Sequence, residues 1–305
     1  MGKIAFVFSG QGAQYSGMGK SLYETSAAAR SVFDTAEQLR PGTIRQCFEG
    51  TLEEISMTRN TQPCLFCVDL AAAEALKEAG IMPDMAAGFS LGEVAAVTFA
   101  GVFNHAEGFS LVTKRGEAMQ AAAEKVDSAM AAVLKLTNQQ VEDLCRLHPG
   151  VYPVNYNCPG QLVVAGLKPA LQDFLSDVAA NGGRAVPLNV SGGFHSPFME
   201  SASIKLAQVV AEMEAKEPEI PVYANYTAEP YGDNAGYLLE KQVSNPVRWQ
   251  QTVEKMIAAG VDTFIEVGAG KTLCGLVKKT SRGVKVYNVE DAASLEATLA
   301  ALRTA

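Results

Sequence analysis

Histidine is scarce in this sequence: its 305 residues contain three, which are His105, His148 and His195. The six cysteines are scattered, unlike the dense framework of a small disulfide-rich domain. No cysteine or histidine pairs have zinc-finger spacing, so we expect no metal site. Cys64 and Cys67 form a CxxC pair inside a long apolar helical pattern, which predicts buried structural thiols and not a redox centre.

Long apolar runs and excess positive charge are absent as well. No stretch reaches about 18 apolar residues, so we expect no transmembrane helix. The short apolar run Lys3–Phe8 predicts a buried first strand and not a signal peptide, and we expect a cytoplasmic protein. The net charge of −8 argues against a non-specific nucleic-acid-binding protein, which would usually be basic.

One local basic cluster stands out against this acidic background. It lies near the end of the sequence and consists of Lys271, Lys278, Lys279, Arg282 and Lys285. Such a patch can bind an anionic partner, although it can equally be a solvated helix face.

The composition and the order of elements indicate an α/β fold. Hydrophobic residues make up 48% of the chain and charged residues 19%, as in ordinary globular domains. Strand-like apolar runs alternate with longer helical patterns, which predicts a mostly parallel sheet. Between residues 125 and 191 the predicted order becomes β-α-β-β-α-β, the ferredoxin-like unit. We therefore expect a core formed by residues 1–124 and 192–305, with residues 125–191 inserted as a small subdomain.

Ser90 lies in a G-x-S-x-G pattern with Gly88 and Gly92 on either side. A predicted strand precedes it and a predicted helix follows, which is the context of a nucleophile elbow. The sharp turn exposes the hydroxyl at a helix N-terminus, where developing negative charge is stabilised. Ser90 is therefore predicted to be a nucleophile; the alternative is a serine that only caps the helix.

A serine hydroxyl needs a general base, and the three histidines can be compared directly. His148 lies in a predicted surface turn and His105 at a helix start. His195 follows two glycines where the chain returns from the inserted unit to the core, and a cleft between the two is a natural place for a site. We predict that His195 is the base; the alternative is a structural histidine within a turn.

The glycine-rich turn around Gln11 follows the first predicted strand. It lacks both the full G-x-G-x-x-G pattern and the GK[ST] ending of a phosphate-binding loop. The backbone N–H groups of Gln11 and of Leu91, which follows the nucleophile, are predicted to stabilise an oxyanion. A plain tight turn is the alternative for Gln11.

Six motifs in order carry a resemblance to a known family. They are residues 8–14 (FSGQGAQ), 88–93 (GFSLGE), 114–120 (KRGEAMQ), 194–196 (FHS), 245–249 (NPVRW) and 266–270 (EVGAG). Together they resemble the malonyl-CoA:acyl carrier protein transacylases over essentially the whole chain. The resemblance implies an α/β-hydrolase-like core with a ferredoxin-like subdomain, which agrees with the organisation predicted above.

The resemblance implies a ping-pong reaction in fatty acid biosynthesis. Ser90 would attack the thioester of malonyl-CoA with His195 as base, and malonyl would then pass to the phosphopantetheine thiol of acyl carrier protein. The backbone carbonyl of Gln242 would orient His195 in place of a carboxylate. No cofactor of the protein's own is implied, and a monomer is expected.

The resemblance also implies the substrate contacts. Arg115 would pair with the free carboxylate of malonyl, and Met119, one helical turn later, would line the same pocket. Phe194 matches family members that accept malonyl and reject its α-methyl-branched form. A separate hypothesis, based on the local positive charge and not on the resemblance, is that acyl carrier protein docks on the basic cluster of Lys271, Lys278, Lys279 and Arg282.

The sequence departs from the family pattern at three positions. Phe89 replaces the usual histidine before the nucleophile, which puts the rate and the substrate range in question. Ser9 and Ala269 replace common prolines without affecting the chemistry.

Three other functions compete with this interpretation. A serine hydrolase or thioesterase would admit water and would not need Arg115. A trans-acting malonyltransferase of a polyketide synthase would have nearly the same sequence features. A non-catalytic module that binds carrier proteins would lack the Ser90 and His195 pair.

Overall fold

The computed structural model describes residues 2–303 and contains two β-sheets. The strands of the larger sheet are β1 Lys3–Phe8, β2 Met85–Gly88, β7 Val222–Tyr223, β8 Val261–Val267 and β9 Lys285–Val289. Their order is β7-β2-β1-β8-β9, and every neighbouring pair is parallel. The ends of β1 and β2 lie side by side because Phe8 pairs with Gly88, so the loops that follow these strands meet.

Helices cover both faces of this sheet. They are α1 Lys20–Thr25, α2 Ala27–Leu39, α3 Thr43–Glu49, α4 Leu52–Ser56, α5 Thr58–Glu78, α6 Leu91–Phe99, α7 His105–Ala123, α10 Glu200–Ala211, α11 Ala235–Ser244, α12 Trp249–Ala258, α13 Thr272–Thr280 and α14 Ala292–Arg303. Side chains alternate across a strand. Phe6 and Phe8 therefore face a large core that contains α5, while Ala5 and Val7 face a smaller core under α12 and α13.

The smaller sheet has the ferredoxin-like arrangement. It is formed by β3 Ser128–Leu134, β4 Val151–Cys158, β5 Gln161–Leu167 and β6 Arg184–Pro187, with α8 Asn138–Leu147 and α9 Lys168–Ala180. The order is β4-β5-β3-β6 and all pairs are antiparallel. The predicted fold class, a mostly parallel α/β core with this inserted unit, is confirmed. The predicted limits of the subdomain, 125 and 191, stay a prediction.

The small sheet is joined to the core by backbone hydrogen bonds. Val247, just before α12, accepts from the N–H of Tyr156 at 2.9 Å and donates to the carbonyl of Val154 at 2.8 Å. These two bonds extend the edge of β4 toward the core. They fix the position of the small sheet over the ends of the parallel strands.

Two local features shape the chain near the site. Strand β7 ends at Tyr223, because the chain turns there and the Asn225 side chain bonds to the backbone of Gly88 and Ser90. A 3-10 turn, Pro197–Met199, follows His195 and leads into α10. Strand β9 lies in a segment for which no strand is predicted from the sequence.

All six cysteines are free, and Cys64 and Cys67 are buried within α5. Over residues 2–303, no helix is both long and apolar enough to cross a membrane.

Candidate active site

Ser90 stands in a strained turn between β2 and α6. Its backbone angles are φ 56° and ψ −109°, a conformation that costs a residue with a side chain of order 1–3 kcal/mol. The two neighbouring glycines permit the turn: a Cβ on Gly88 would lie 1.9 Å from the carbonyl carbon of Gly92, and one on Gly92 would lie 2.4 Å from the oxygen of Phe8. Close backbone packing is thus the physical reason for the G-x-S-x-G pattern.

Asn225 holds this turn from the side of β7. Its Oδ1 accepts a hydrogen bond from the Ser90 N–H at 2.8 Å, and its Nδ2 donates to the Gly88 carbonyl at 2.6 Å. The side chain is fully buried. One carboxamide therefore satisfies two backbone groups that the turn removes from the regular sheet and helix pattern.

Ser90 and His195 form a hydrogen-bonded pair. The distance from Ser90 Oγ to His195 Nε2 is 2.7 Å, and that from His195 Nδ1 to the backbone oxygen of Gln242 is 2.9 Å. Because a carbonyl only accepts, Nδ1 carries the proton and Nε2 is free to accept from the serine. This is the arrangement expected of a nucleophile and a base, with a carbonyl in the place of a carboxylate.

The surroundings of His195 keep its ring neutral. Burial lowers its pKa to about 4, and the nearby charge of Arg115 acts in the same direction. Backbone hydrogen bonds to Gln242 and Asn245 oppose the shift. At neutral pH the imidazole is therefore unprotonated and able to take the Ser90 proton.

Arg115 lies beside the nucleophile and is 1% exposed. Its Nη2 donates to Ser90 Oγ at 3.2 Å and to Gln242 Oε1 at 2.7 Å, while Nη1 donates to Gln62 Oε1 at 2.7 Å. Its Nε–H has no acceptor within residues 2–303. Burial lowers the pKa of Arg115 to about 10, opposed by Glu93, so the guanidinium stays charged at neutral pH.

Two further predicted pocket residues lie close by. Met119 is buried, and its sulfur accepts a hydrogen bond from Gln62 Nε2 at 3.3 Å. Gln62 therefore connects Met119 to Arg115. Phe194 is 6% exposed next to His195, and its effect on branched substrates stays a prediction.

The predicted oxyanion groups lie on two loops that touch. Leu91 is the first residue of α6, so its N–H has no acceptor inside that helix. Gln11 follows β1, whose loop packs against the elbow: a Cβ on Gly10 would lie 2.8 Å from the Phe89 oxygen. The Gln11 side chain points to α5 and donates to Thr58 Oγ1 at 3.4 Å. Participation of both N–H groups in an oxyanion hole stays a prediction.

The other two histidines lie elsewhere. His105 contacts Glu74 at 3.2 Å, and His148 contacts Asp177 at 2.8 Å. Neither bonds to Ser90, so among the three histidines His195 alone has the geometry of a base.

The positions at which the sequence departs from the family have defined contacts. Phe89 packs against Trp249 with ring centroids 5.5 Å apart. Ser9 donates to Asp69 Oδ1 at 2.6 Å in the interior, where Asp69 Oδ2 has no partner within the described residues. Ala269 is fully buried.

A cavity of about 220 Å³ opens between the core and the small sheet. Its walls include Gln11, Phe89, Leu273 and the amide side chains of Asn155 and Asn157. Oδ1 of each of these asparagines is buried without a hydrogen-bond partner in the part of the chain that the structure describes. The walls of the cavity next to the elbow therefore combine apolar and amide side chains.

Sequence reasoning missed several residues that support the site: Gln62, Asp69, Glu93, Asn225 and Tyr231. Glu93 was within a recognised motif but had no assigned role. Asn225 follows the end of a parallel strand, which is where sites in such sheets are found. Its position after a strand end was the one sequence feature that could have identified Asn225.

The whole chain is similar to known acyl transferases. Residues 5–298 match the family described as acyl transferase domain. A malonyl CoA-acyl carrier protein transacylase of Bacillus subtilis (strain 168) is 40% identical over 312 residues, which is 99% of this chain and 98% of that protein. The crystal structure of the Clostridium perfringens malonyl CoA-acyl carrier protein transacylase has 38% identity and a TM-score of 0.96, covering 99% of this chain and 98% of its own.

A third similar structure is a malonyl-transacylase solved in complex with a type II PKS acyl-carrier protein. It is 34% identical with a TM-score of 0.94, and the match covers 98% of this chain and 99% of that one. The chain therefore belongs to the acyl transferase family, among the malonyl CoA-acyl carrier protein transacylases.

Proposed function

We propose that the protein transfers a malonyl group from malonyl-CoA to the phosphopantetheine thiol of acyl carrier protein through a Ser90 ester. One observation carries the substrate assignment: a buried guanidinium with an unused Nε–H lies 3.2 Å from the nucleophile. A carboxylate on the acyl group can accept from this donor, and bidentate pairing fixes its position.

In the first half-reaction, Ser90 Oγ attacks the thioester carbonyl while His195 Nε2 takes its proton. The new C–O bond leaves negative charge on the carbonyl oxygen, which the N–H groups of Gln11 and Leu91 would stabilise. The intermediate collapses with loss of coenzyme A, and His195 returns the proton to the leaving thiolate. In the second half-reaction the thiol of the carrier attacks the ester by the same steps.

Coenzyme A and the acyl carrier protein both carry a pantetheine arm with two amides. The cavity beside Phe89 suits such an arm. Asn155 and Asn157 place amide side chains in its wall, and Leu273 supplies apolar contact. The reaction uses only residues of this chain and its two substrates, with no cofactor of the protein's own.

The docking surface for the carrier is proposed to be the exposed basic cluster of Lys271, Lys278, Lys279 and Arg282 on and beside α13. The positive charge of this surface would complement an acidic face of the carrier. Leu273 and Leu276 of the same helix line the cavity, so a carrier held there could extend its arm toward Ser90. We propose further that the protein acts as a monomer in the cytoplasm.

Two competing functions make different demands on the site. A hydrolase has no use for a buried arginine beside the nucleophile, and a non-catalytic module has no use for a bonded serine and histidine. Transfer to a polyketide carrier would use the same residues, and one structural relative was solved with such a carrier. Comparing carriers of the two types in the test below therefore decides between the fatty acid and polyketide pathways.

The test follows labelled malonyl. The protein is incubated with labelled malonyl-CoA, the label is located by peptide mass spectrometry, and carrier proteins of the fatty acid and polyketide types are then added. We expect an ester on Ser90 that moves to a carrier thiol, and none in Ser90→Ala. Rapid release of free malonate without transfer would support the hydrolase instead.

A further inference from the structure

We infer that Glu93 is the counter-charge of Arg115, acting through the Gln242 carboxamide, and that Glu93 takes up a proton when a malonyl carboxylate binds the guanidinium. This inference rests on the proposed function. Glu93 would be a positioning residue for Arg115, and its protonation would be coupled to malonyl binding. The elbow and the Ser90 and His195 pair require neither property.

Glu93 is a fully buried carboxyl group in the first turn of α6, three residues after the nucleophile. Its Oε1 accepts from the Tyr231 hydroxyl, and its Oε2 accepts from the Asn225 N–H at 3.2 Å and from Gln242 Nε2 at 2.8 Å. All of its contacts are donors, and the helix N-terminus also favours a negative charge. These donors stabilise the carboxylate, and of the three partners only the Tyr231 hydroxyl can also accept a hydrogen bond when Glu93 is protonated.

Gln242 carries this charge to Arg115 through one amide. Its Nε2 donates to Glu93 Oε2 and, at 2.6 Å, to the Ser90 carbonyl, so its Oε1 must face the other way. There Oε1 accepts from Arg115 Nη2 at 2.7 Å. If the amide were reversed, its NH2 group would face the guanidinium and two donors would be opposed. Glu93 thus fixes the amide orientation that holds Arg115.

The indirect link between Glu93 and Arg115 leaves part of the guanidinium available to the substrate. A direct ion pair would occupy the guanidinium edge that a malonyl carboxylate needs. With Gln242 between the charges, Glu93 offsets the burial of Arg115 while Nε–H stays without an acceptor within residues 2–303. The two side chains still interact electrostatically, because Arg115 lowers the pKa of Glu93 and Glu93 raises that of Arg115.

Malonyl adds a second negative charge to this closed network. The charged and titratable groups that face Glu93 are Arg115 from α7 and Tyr231 from the segment after β7, while His195 contacts the backbone of the same Gln242. Burial raises the pKa of Glu93 to about 7. A further negative charge at Arg115 should raise this pKa by about one unit, so Glu93 becomes the group that accepts a proton from solvent.

The experiment counts protons during loading of Ser90. Forming the ester and releasing coenzyme A as its thiol has no net proton change at pH 7, so uptake reports on the protein. We expect an uptake of about 0.4 proton per malonyl bound at pH 7, because the protonated fraction of Glu93 rises from about one half to about nine tenths. The burst is followed with a pH indicator in weak buffer by stopped flow.

Three controls isolate the effect. Acetyl-CoA loads the same serine without a carboxylate and should give no uptake. Glu93→Gln keeps an oxygen for Gln242 and removes the charge, so its uptake should vanish. Tyr231→Phe removes a donor to the carboxylate, so its uptake should be greatest at a higher pH than in the wild type, which keeps the inference testable if Glu93→Gln does not fold.

The coupling between malonyl binding and protonation of Glu93 can also be measured from the pH dependence of KM. Since malonyl favours protonated Glu93, the KM for malonyl-CoA should rise about fivefold from pH 6 to pH 8, and that for acetyl-CoA should stay level. Labelled malonyl on Ser90 without proton uptake, or equal uptake in Glu93→Gln, would overturn the inference alone. If no label reaches Ser90, the proposed function fails and the inference falls with it.

Discussion

Arg115 is a charged side chain in a buried position, where loss of water disfavours the charge. Its guanidinium is held by the amide oxygens of Gln62 and Gln242, which leaves donors directed at the nucleophile. A buried cation of this kind is maintained at a cost in solvation, which its neighbours and an anionic ligand can offset. The proposed role of Arg115 is therefore to favour an acyl group that carries its own carboxylate.

Replacement of Arg115 by alanine separates malonyl from acetyl transfer. We expect kcat/KM for malonyl-CoA to fall by about 100-fold or more, because charge-assisted hydrogen bonds are lost. Transfer of acetyl should change by less than about tenfold. Arg115→Lys is the matched control, since it keeps the charge without the planar fork and should recover malonyl transfer only in part. Equal losses for the two substrates would contradict the assignment.

At the scale of elements, the site depends on where strands and helices end. The elbow joins β2 to α6, and the end of β7 supplies Asn225 to hold it. Helix α5 contributes three side chains at intervals of four and seven residues: Thr58 contacts Gln11, Gln62 contacts Arg115 and Asp69 contacts Ser9. One interior helix therefore supports three separate parts of the site.

Replacement of Asn225 by alanine tests the hold on the elbow. We expect kcat to fall by about 10- to 100-fold with little change in KM, because Ser90 loses its fixed orientation while the substrate groups remain. Asn181→Ala is the control: it removes a similar bond, from Nδ2 to the Asp177 carbonyl at 2.8 Å, at the end of α9. Steady-state kinetics on both variants makes the comparison, and an equal effect of Asn181→Ala would point to general destabilisation.

Replacement of Asp69 by asparagine tests whether α5 carries a neutral carboxyl. Burial raises the pKa of Asp69 well above its usual value, so the folded state binds a proton that the unfolded chain releases above about pH 4. Wild-type stability therefore declines as pH rises toward the folded pKa. Asp69→Asn needs no proton, so its free energy of unfolding should gain about 1.4 kcal/mol per pH unit relative to wild type above about pH 4, until the pH reaches the folded pKa of Asp69.

Urea denaturation at several pH values measures this difference. Asp69→Ala serves as the matched variant, because it also lacks the proton but leaves the Ser9 hydroxyl without its acceptor. A difference between Asp69→Asn and wild type that stays constant with pH would mean that Asp69 is ionised in the folded protein.

At the scale of the whole molecule, the cavity lies between the core and the small sheet. The core contains Ser90, His195 and Arg115, and the small sheet contributes Asn155 and Asn157 to the cavity wall. Backbone hydrogen bonds between Val247 and β4 join the two units. The basic cluster is exposed on and beside α13, which contributes Leu273 and Leu276 to the cavity, so the proposed carrier docking would place the carrier's arm near this cavity.

Charge reversal at Lys278 and Lys279 tests that relation. The double change to glutamate should raise the KM for acyl carrier protein by about tenfold and reduce its dependence on salt, because complementary charges steer the encounter. Loading of Ser90 from malonyl-CoA is measured in parallel to separate the two half-reactions. Lys205→Glu on α10 is the control for a change of charge elsewhere, and an unchanged KM in the double variant would count against this docking surface.

The sequence by itself determined the alternation of strands and helices, apart from β9, and the residues that motifs identify. Apolar periodicity depends on local burial, so the parallel core, the ferredoxin-like order and the elbow could be predicted. Ser90 could be recognised because its glycines are a steric requirement of the turn, and His195 because histidines are few.

The tertiary structure alone decided which side chains surround those residues. Asn225 lies 135 positions from Ser90, and Gln242 lies 149 positions from Glu93, so no local pattern reports their hydrogen bonds. Such bonds form only when packing brings separate strand ends and helices to one point. Their strength also depends on burial there, which is why the charge of Glu93 and its link to Arg115 could not be predicted from the sequence.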